Sequence, residues 1–305
     1  MHLLVNPWAA SVTTRSRQRV RAALATSHDV TVAETEERDH ATELAREAVA
    51  AGAEAVAVLA GDGTLNEAAN GVLGSEAVLA ALPGGSTNVF ARTIGVPRDP
   101  TAAARSIAEA LSLGSVRRIG LGSVNGRAFL FHVGMGFDAA VVEQVERRPA
   151  LKRRLGQAFF VHATLATWLL HYDRGRPRFT VQMEGAEIDD GYFAVCLNTN
   201  PYTFLGPRPL QVAPDATLER GLSMFTLRSL DLGTLLSVTA SVLGDGEGAR
   251  AHPRTDYRAD LTELAVIGHG SFPYQVDGDY LGEVEELLVR YQPDALAVAM
   301  PVVTP

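Results

Sequence analysis

Gly61-Asp62-Gly63-Thr64 and Gly84-Gly85-Ser86-Thr87-Asn88 are the stretches whose residue types best suit phosphate chemistry. Glycines let an anion approach the backbone, and a helix starting there would aim partial positive charge at it. Asp62 is a poor partner for a phosphate and a good one for a phosphate-bound cation. The same residues also fit a plain strand-to-helix turn with Thr64 as its N-cap. Asp277-Gly278-Asp279 reads first as a hairpin turn, for which Asp-Gly is the usual signal. Its chemical reading is a carboxylate acting as general base toward an alcohol. Gly134-Met135-Gly136-Phe137-Asp138 lacks the third glycine of a dinucleotide fingerprint. It suits a bend before a helix, with Asp138 as a cap or cleft residue.

The elements that would position these residues follow from hydrophobic patterning. Apolar runs at 2–6, 30–32, 55–59 and 77–82 read as short buried strands, alternating with helical patterns at 15–25, 40–51, 65–73 and 100–113. That alternation predicts a doubly wound parallel sheet, an N-terminal α/β nucleotide-binding domain over residues 1–118. Asn6, Thr35, the Gly61 turn and the Gly84 turn then lie at strand ends on one edge, where such sheets bind ligands. Beyond residue 118 the character changes. Strand-like runs at 119–131, 178–183, 192–198, 222–227, 261–267, 274–276 and 287–291 are interrupted by helical patches at 155–172 and 232–243. Residues 119–305 therefore read as an all-β C-terminal domain, an antiparallel β-sandwich.

Composition narrows the function classes. The chain has 305 residues, 47% of them apolar, which suits two globular cores. A net charge of −8 argues against bulk nucleic-acid binding. Cys196 is the single cysteine, so an internal disulfide is excluded, and its apolar neighbours mark it as a packed thiol. No basic-then-apolar leader and no membrane-length apolar run appear, and the expected location is the cytoplasm. Lys152 is the sole lysine, which removes a P-loop lysine from consideration. Arg147, Arg148, Lys152, Arg153 and Arg154 precede an apolar helical patch. They read as a solvated face, or alternatively as a patch that docks transiently on anionic lipid. The histidines show no metal-ligand spacing. An oligomer of identical chains is compatible with the sequence.

Taken in order, these motifs resemble the diacylglycerol kinase catalytic-domain family, which includes sphingosine and ceramide kinases. The likeness extends over nearly the whole chain. It is carried by residues 61–67, 82–92 and 134–139, with support from Asn6-Pro7, the Thr35 loop, residues 204–210 and 213–216, and Asp277-Gly278-Asp279. Gly-Asp-Gly-Thr alone is shared with NAD kinases and phosphofructokinases; the ordered set is specific. The resemblance implies an ATP-binding α/β domain, a lipid-binding β-sandwich and a cleft between them. It implies that Asn6, Thr35, Gly61, Asp62, Gly63, Thr64, Leu65, Asn66 and Ser86 line the nucleotide, with Glu67 and Gly85 in the same set. Asp62 would hold the Mg²⁺ of MgATP, and Asp277 or Asp279 would take the proton of a lipid hydroxyl.

Four positions depart from the family pattern. Ala60 replaces the first loop glycine, Trp8-Ala9-Ala10-Ser11 replaces Ser-Gly after Asn6-Pro7, and Asp279 replaces a glutamate. Arg220 stands where some bacterial members carry an acidic ligand for a structural Mg²⁺, which argues against that second site. The expected activity is ATP-dependent phosphorylation of diacylglycerol. A sphingoid base or other lipid alcohol, an NAD kinase-like reaction and an inactive nucleotide-binding regulator are the alternatives.

Overall fold

The computed structural model describes residues 1–147, 163–164 and 166–302. The chain divides into two compact units, Met1–Leu121 with the segment from Pro293 onward, and Gly122–Gln292. The sequence places the break at 118 and gives everything after it to the second domain; the structure returns the last segment to the first.

In the first unit, His2–Val5 (β1), Thr31–Glu34 (β2), Ala55–Ala60 (β3) and Val78–Pro83 (β4) form a parallel sheet in the order β2-β1-β3-β4. β3 is buried along its whole length, as an unbroken apolar run covered on both faces requires. The helices are Thr14–Leu24 (α1), His40–Ala50 (α2), Asp62–Val72 (α3), Val89–Thr93 (α4) and Pro100–Ser112 (α5). The crossover through α1 runs toward β2, whereas those through α2 and α3 run the other way. Right-handed connections then put α1 on the face opposite α2 and α3. In agreement, α1 packs on α5 and α2 packs on α3. The carboxyl ends of β1 and β3 flank the point where chain direction reverses, so Asn6 and Gly61 stand at the switch point.

The α3 helix begins at Asp62 rather than Leu65, and its N-cap is Gly61, not Thr64. The glycines permit helical geometry from the first residue of the turn, which leaves the Thr64 hydroxyl available for another bond. Asp99 caps α5 by accepting from the Ala102 N–H at 2.8 Å, with Pro100 in the first turn.

The second unit contains Val116–Val124 (β5, which enters from the first unit), Arg127–Phe129 (β6), His132–Gly136 (β7), Phe179–Met183 (β8), Ala186–Gly191 (β9) and Phe193–Leu197 (β10). Thr203–Leu205 (β11), Arg208–Leu210 (β12), Leu222–Leu227 (β13), Thr255–Leu261 (β14), Glu263–Val276 (β15) and Asp279–Ala299 (β16) follow. These strands pair antiparallel in the order β14-β13-β10-β7-β15-β16, with β8 and β9 continuing from β15. Phe137–Glu146 (α6) and Leu232–Val242 (α7) accompany the sheet. Side chains alternate across β10: Ala194 and Cys196 join a core around Phe129, Phe179 and Phe272, while Val195 and Leu197 join a second around Phe137 and Phe225. Burial pushes the Cys196 thiol up, which agrees with an inert packed thiol.

Three expectations change here. The run 119–131 is a hairpin, because Asn125 and Gly126 both take positive φ and fold β5 onto β6. The run 287–291 is the middle of the 21-residue β16, whose last residues pair with β4 through Val298 and Leu79. Of the helical patch at 155–172, Thr167–His171 forms a π-helical turn and much of the remainder lies outside the described residues. Arg148, Lys152, Arg153 and Arg154 also lie outside them, whereas Arg147 pairs with Glu143 at 2.7 Å.

Candidate functional site

In the first unit the two glycine loops are laced together. The Gly84 and Gly85 N–H groups both donate to the Ala60 carbonyl, at 2.8 and 3.1 Å. Gly85 N–H also donates to Asn88 Oδ1 at 2.8 Å, and Asn88 Nδ2 donates back to the Gly85 carbonyl at 2.9 Å. Asn88 sits in the left-handed region at φ 52°, which asparagine tolerates and which turns the chain into α4. Asp62 spans the gap, its carboxylate accepting from the Val89 N–H at 2.9 Å and the Phe90 N–H at 3.3 Å. Asn6 closes the arrangement by donating from Nδ2 to Thr64 Oγ1 at 2.9 Å, while its Oδ1 accepts from the Trp8 N–H.

The structure thus brings Asn6, Gly61, Asp62, Thr64 and Gly85 to one point, with Gly63 in the same half-buried turn and Ser86 exposed beside it. Thr35 is buried, its N–H on the Val5 carbonyl at 2.9 Å. Leu65, Asn66 and Glu67 turn inward instead. Glu67 accepts from the Ala41 N–H at 3.3 Å and so serves the first turn of α2. Sequence reasoning missed Asn88 and the Val89 and Phe90 amides, for which the only signal was the asparagine after the second glycine loop. It also assigned nothing to Arg92. Burial and the neighbouring Arg98 lower the Arg92 guanidinium from its usual value, and the charge of Asp62 opposes them.

Gly85 has no room for a side chain, since a Cβ there would lie 2.7 Å from the Gly61 Cα. Gly85→Ala is expected to pry the two loops apart, costing about 1–3 kcal/mol of stability. Thermal melts and ATP titration of the variant check this. An unchanged melt together with unchanged ATP affinity would remove the contact from the site.

Among the described residues no three His, Cys, Asp or Glu side chains assemble into a metal cage. Mg²⁺ bound together with substrate phosphates commonly rests on only one or two carboxylates. Asp62 fits that arrangement by its chemistry, as a carboxylate held between the two glycine loops by the Val89 and Phe90 N–H groups.

In the second unit the hairpin reading of Asp277-Gly278 holds: both residues have positive φ, 49° and 85°, between β15 and β16. The carboxylate of Asp277 points inward. It accepts from the Leu130, Phe131 and His132 N–H groups at 2.7, 3.0 and 3.0 Å. Its own N–H donates to the His132 carbonyl at 2.9 Å. Asp279 is half-buried at the start of β16, opposite Val276. Asp138 is a buried residue of α6 and not its cap, which is Gly136. It accepts from the Tyr202 hydroxyl and, at 2.8 Å, from Gln275 Nε2. His132, packed between Phe131 and Tyr202, is pulled down to about 3 by burial and is neutral. Arg220 lies between Asp215 at 3.8 Å and Asp260 at 3.4 Å, so a guanidinium stands among the carboxylates of that corner.

Residues 1–124 match the profile of the diacylglycerol kinase catalytic domain. A Pseudomonas aeruginosa protein named "Probable lipid kinase YegS-like" is 31% identical over 301 residues, covering 94% of this chain and 91% of that one. The diacylglycerol kinase of Bacillus subtilis is 36% identical over 253 residues, 79% of this chain and 76% of its own length. Among solved structures, a diacylglycerol kinase from Bacillus anthracis superposes with a TM-score of 0.69 at 19% identity, over 98% of this chain and 96% of that one. An ATP-bound NAD kinase from Archaeoglobus fulgidus superposes at 0.51 with 10% identity, over 98% and 93%. These two likenesses concern the fold alone.

Proposed function

Because the chain belongs to the diacylglycerol kinase catalytic-domain family of lipid kinases, we propose that it transfers the γ-phosphoryl group of ATP to a hydroxyl of diacylglycerol, giving phosphatidic acid. The observation that carries this reading is the convergence of Asn6, Asp62, Thr64 and Gly85 at the switch point of the parallel sheet. Gly61, Gly63 and Ser86 complete the loop backbone offered to the phosphates. Thr35, Leu65, Asn66 and Glu67 are buried, and Thr35 and Glu67 bond to the strand end at Val5 and to the start of α2. Arg92 supplies cationic charge near Asp62 in a site without a loop lysine. Phosphoryl transfer asks the protein mainly for in-line positioning and charge neutralisation, and this set provides both. Mg²⁺, held by Asp62 and the phosphates, would neutralise charge on the transferred group.

In the second unit the carboxylate of Asp277 takes the hydroxyl proton as the bond to phosphorus forms. An alcohol is a weak acid, so the base need act only in the transition state. Three backbone hydrogen bonds fix that carboxylate, and burial excludes competing water. Asp279 is the nearby reserve on the same turn. The acceptor resides in membranes, so the protein docks there transiently. No helix among the described residues is long and apolar enough to cross.

The test is transfer of label from [γ-³²P]ATP to vesicles containing diacylglycerol, sphingosine or another lipid alcohol, with NAD⁺ as a soluble arm. Labelled phosphatidic acid is the expected product. ATP binding without any labelled product would sink the enzyme reading, and preferential labelling of a sphingoid base or NAD⁺ would replace the acceptor.

A further inference from the structure

We propose that Asp138 and Gln275 are positioning residues, a buried hydrogen-bonded strut that fixes the turn carrying Asp277. The functional consequence rests on the lipid-kinase reading; the strut itself rests on geometry. Gln275 Nε2 donates to Asp138 Oδ2 at 2.8 Å, and Gln275 Oε1 accepts from the Gly278 N–H at 2.8 Å. A carboxylate only accepts and a backbone N–H only donates, so the group joining them needs a donor at one end and an acceptor at the other. An amide side chain meets that demand, whereas an ionised carboxylate or a hydrocarbon does not. The far oxygen of Asp138 accepts from the Tyr202 hydroxyl, which fixes the other end of the chain.

Both residues are buried, with Asp138 4% and Gln275 0% exposed. Burial raises the Asp138 carboxyl from its usual value, and the bonds from Tyr202 and Gln275 oppose that shift. Burying such a group is costly unless it is fully bonded. The surrounding strand also yields space for the pair. A Cβ on Gly134 would lie 1.6 Å from Asp138 Oδ2 and 2.4 Å from Gln275 Nε2. A hairpin does not need such a device, because Asp-Gly alone satisfies a two-residue turn. The turn is thus held on two sides. The Asp277 carboxylate grips residues 130–132, and the Gly278 amide is gripped by a side chain anchored on α6. Holding both sides fixes the orientation of the carboxylate relative to its own strand.

The experiment uses the full chain with Gln275→Met, Gln275→Glu and Tyr202→Phe, measuring kcat, KM for ATP and exchange of the Gly278 amide by NMR. Gln275→Met is expected to lower kcat about tenfold, leave KM for ATP within about twofold, and speed Gly278 exchange about tenfold. Gln275→Glu is expected to show the same loss near pH 8 and partial recovery near pH 6, where a protonated carboxyl can again donate to Asp138. Should the Gln275 variants fail to fold, Tyr202→Phe, which removes only one hydroxyl, is expected to lower kcat about threefold with the same exchange signature. A kcat unchanged in these variants, or lost without faster Gly278 exchange, overturns the strut. A wild type that phosphorylates no lipid yet shows the exchange contrast overturns the kinase reading and upholds the strut.

Discussion

Asp62→Asn is expected to lower kcat about a thousandfold, the scale of removing one well-placed electrostatic group from a transition state. The fold should survive. An asparagine keeps one oxygen for the Val89 or Phe90 amide, so the loss of the second bond costs about 1 kcal/mol. The variant therefore separates the observed duty of one side chain, holding α4 against the first loop, from its proposed one, holding the cation. If the cation is the larger duty, raising Mg²⁺ or substituting Mn²⁺ should recover part of kcat in the variant and little in the wild type. Circular dichroism and a thermal melt report the structural duty, and single-turnover transfer from ATP reports the chemical one. Activity equal to wild type would remove Asp62 from the mechanism.

Asp277→Asn is expected to hit stability and activity together, because its carboxylate is the acceptor for three backbone N–H groups. An amide offers a single acceptor oxygen and turns two N–H donors toward backbone donors. Leaving a buried donor unmet costs about 1–3 kcal/mol, which for a unit of this size lowers Tm by several degrees. Loss of the base should lower kcat a further 10²- to 10⁴-fold or so, measured on folded protein. Asp279→Asn is the comparison: it changes the other carboxylate of the turn and should lower kcat less than about tenfold. A kcat that falls in Asp277→Asn only in step with the unfolded fraction, alongside an inactive Asp279→Asn, would transfer the base to Asp279.

The first unit was legible because each of its strands is either a continuous apolar run or a short β-branched one, and α1 and α5 carry ordinary side-chain caps at Thr13 and Asp99. The boundaries of β3, β4 and α5 fall within a residue or two of where patterning puts them. The middle of β16 was hidden because Glu283, Glu285, Glu286 and Arg290 crowd its exposed positions, and over 279–290 Leu287 and Val289 alone are buried. In the site, the residue types of Gly61–Thr64 marked a strand-to-helix turn, which β3 and α3 confirm. What they could not disclose is that Asp62 reaches forward to the amides of α4, a bond between residues far apart in sequence. Asp277-Gly278 announced a turn correctly. Nothing local revealed that the aspartate faces residues 130–132, or that Gly134 is small in order to admit Asp138.

The return of β16 to the first unit has a consequence for biosynthesis. Both glycine loops have left the ribosome by the time residue 121 emerges, but the strand that pairs with the free edge of β4 arrives only with Val298. Until then the nascent parallel sheet presents unpaired backbone groups along an apolar strand, the kind of edge that recruits other chains. The segment before residue 121 therefore lacks, on emerging, one strand of its own sheet. Its completion is deferred until the entire second unit, Gly122–Gln292, has been made.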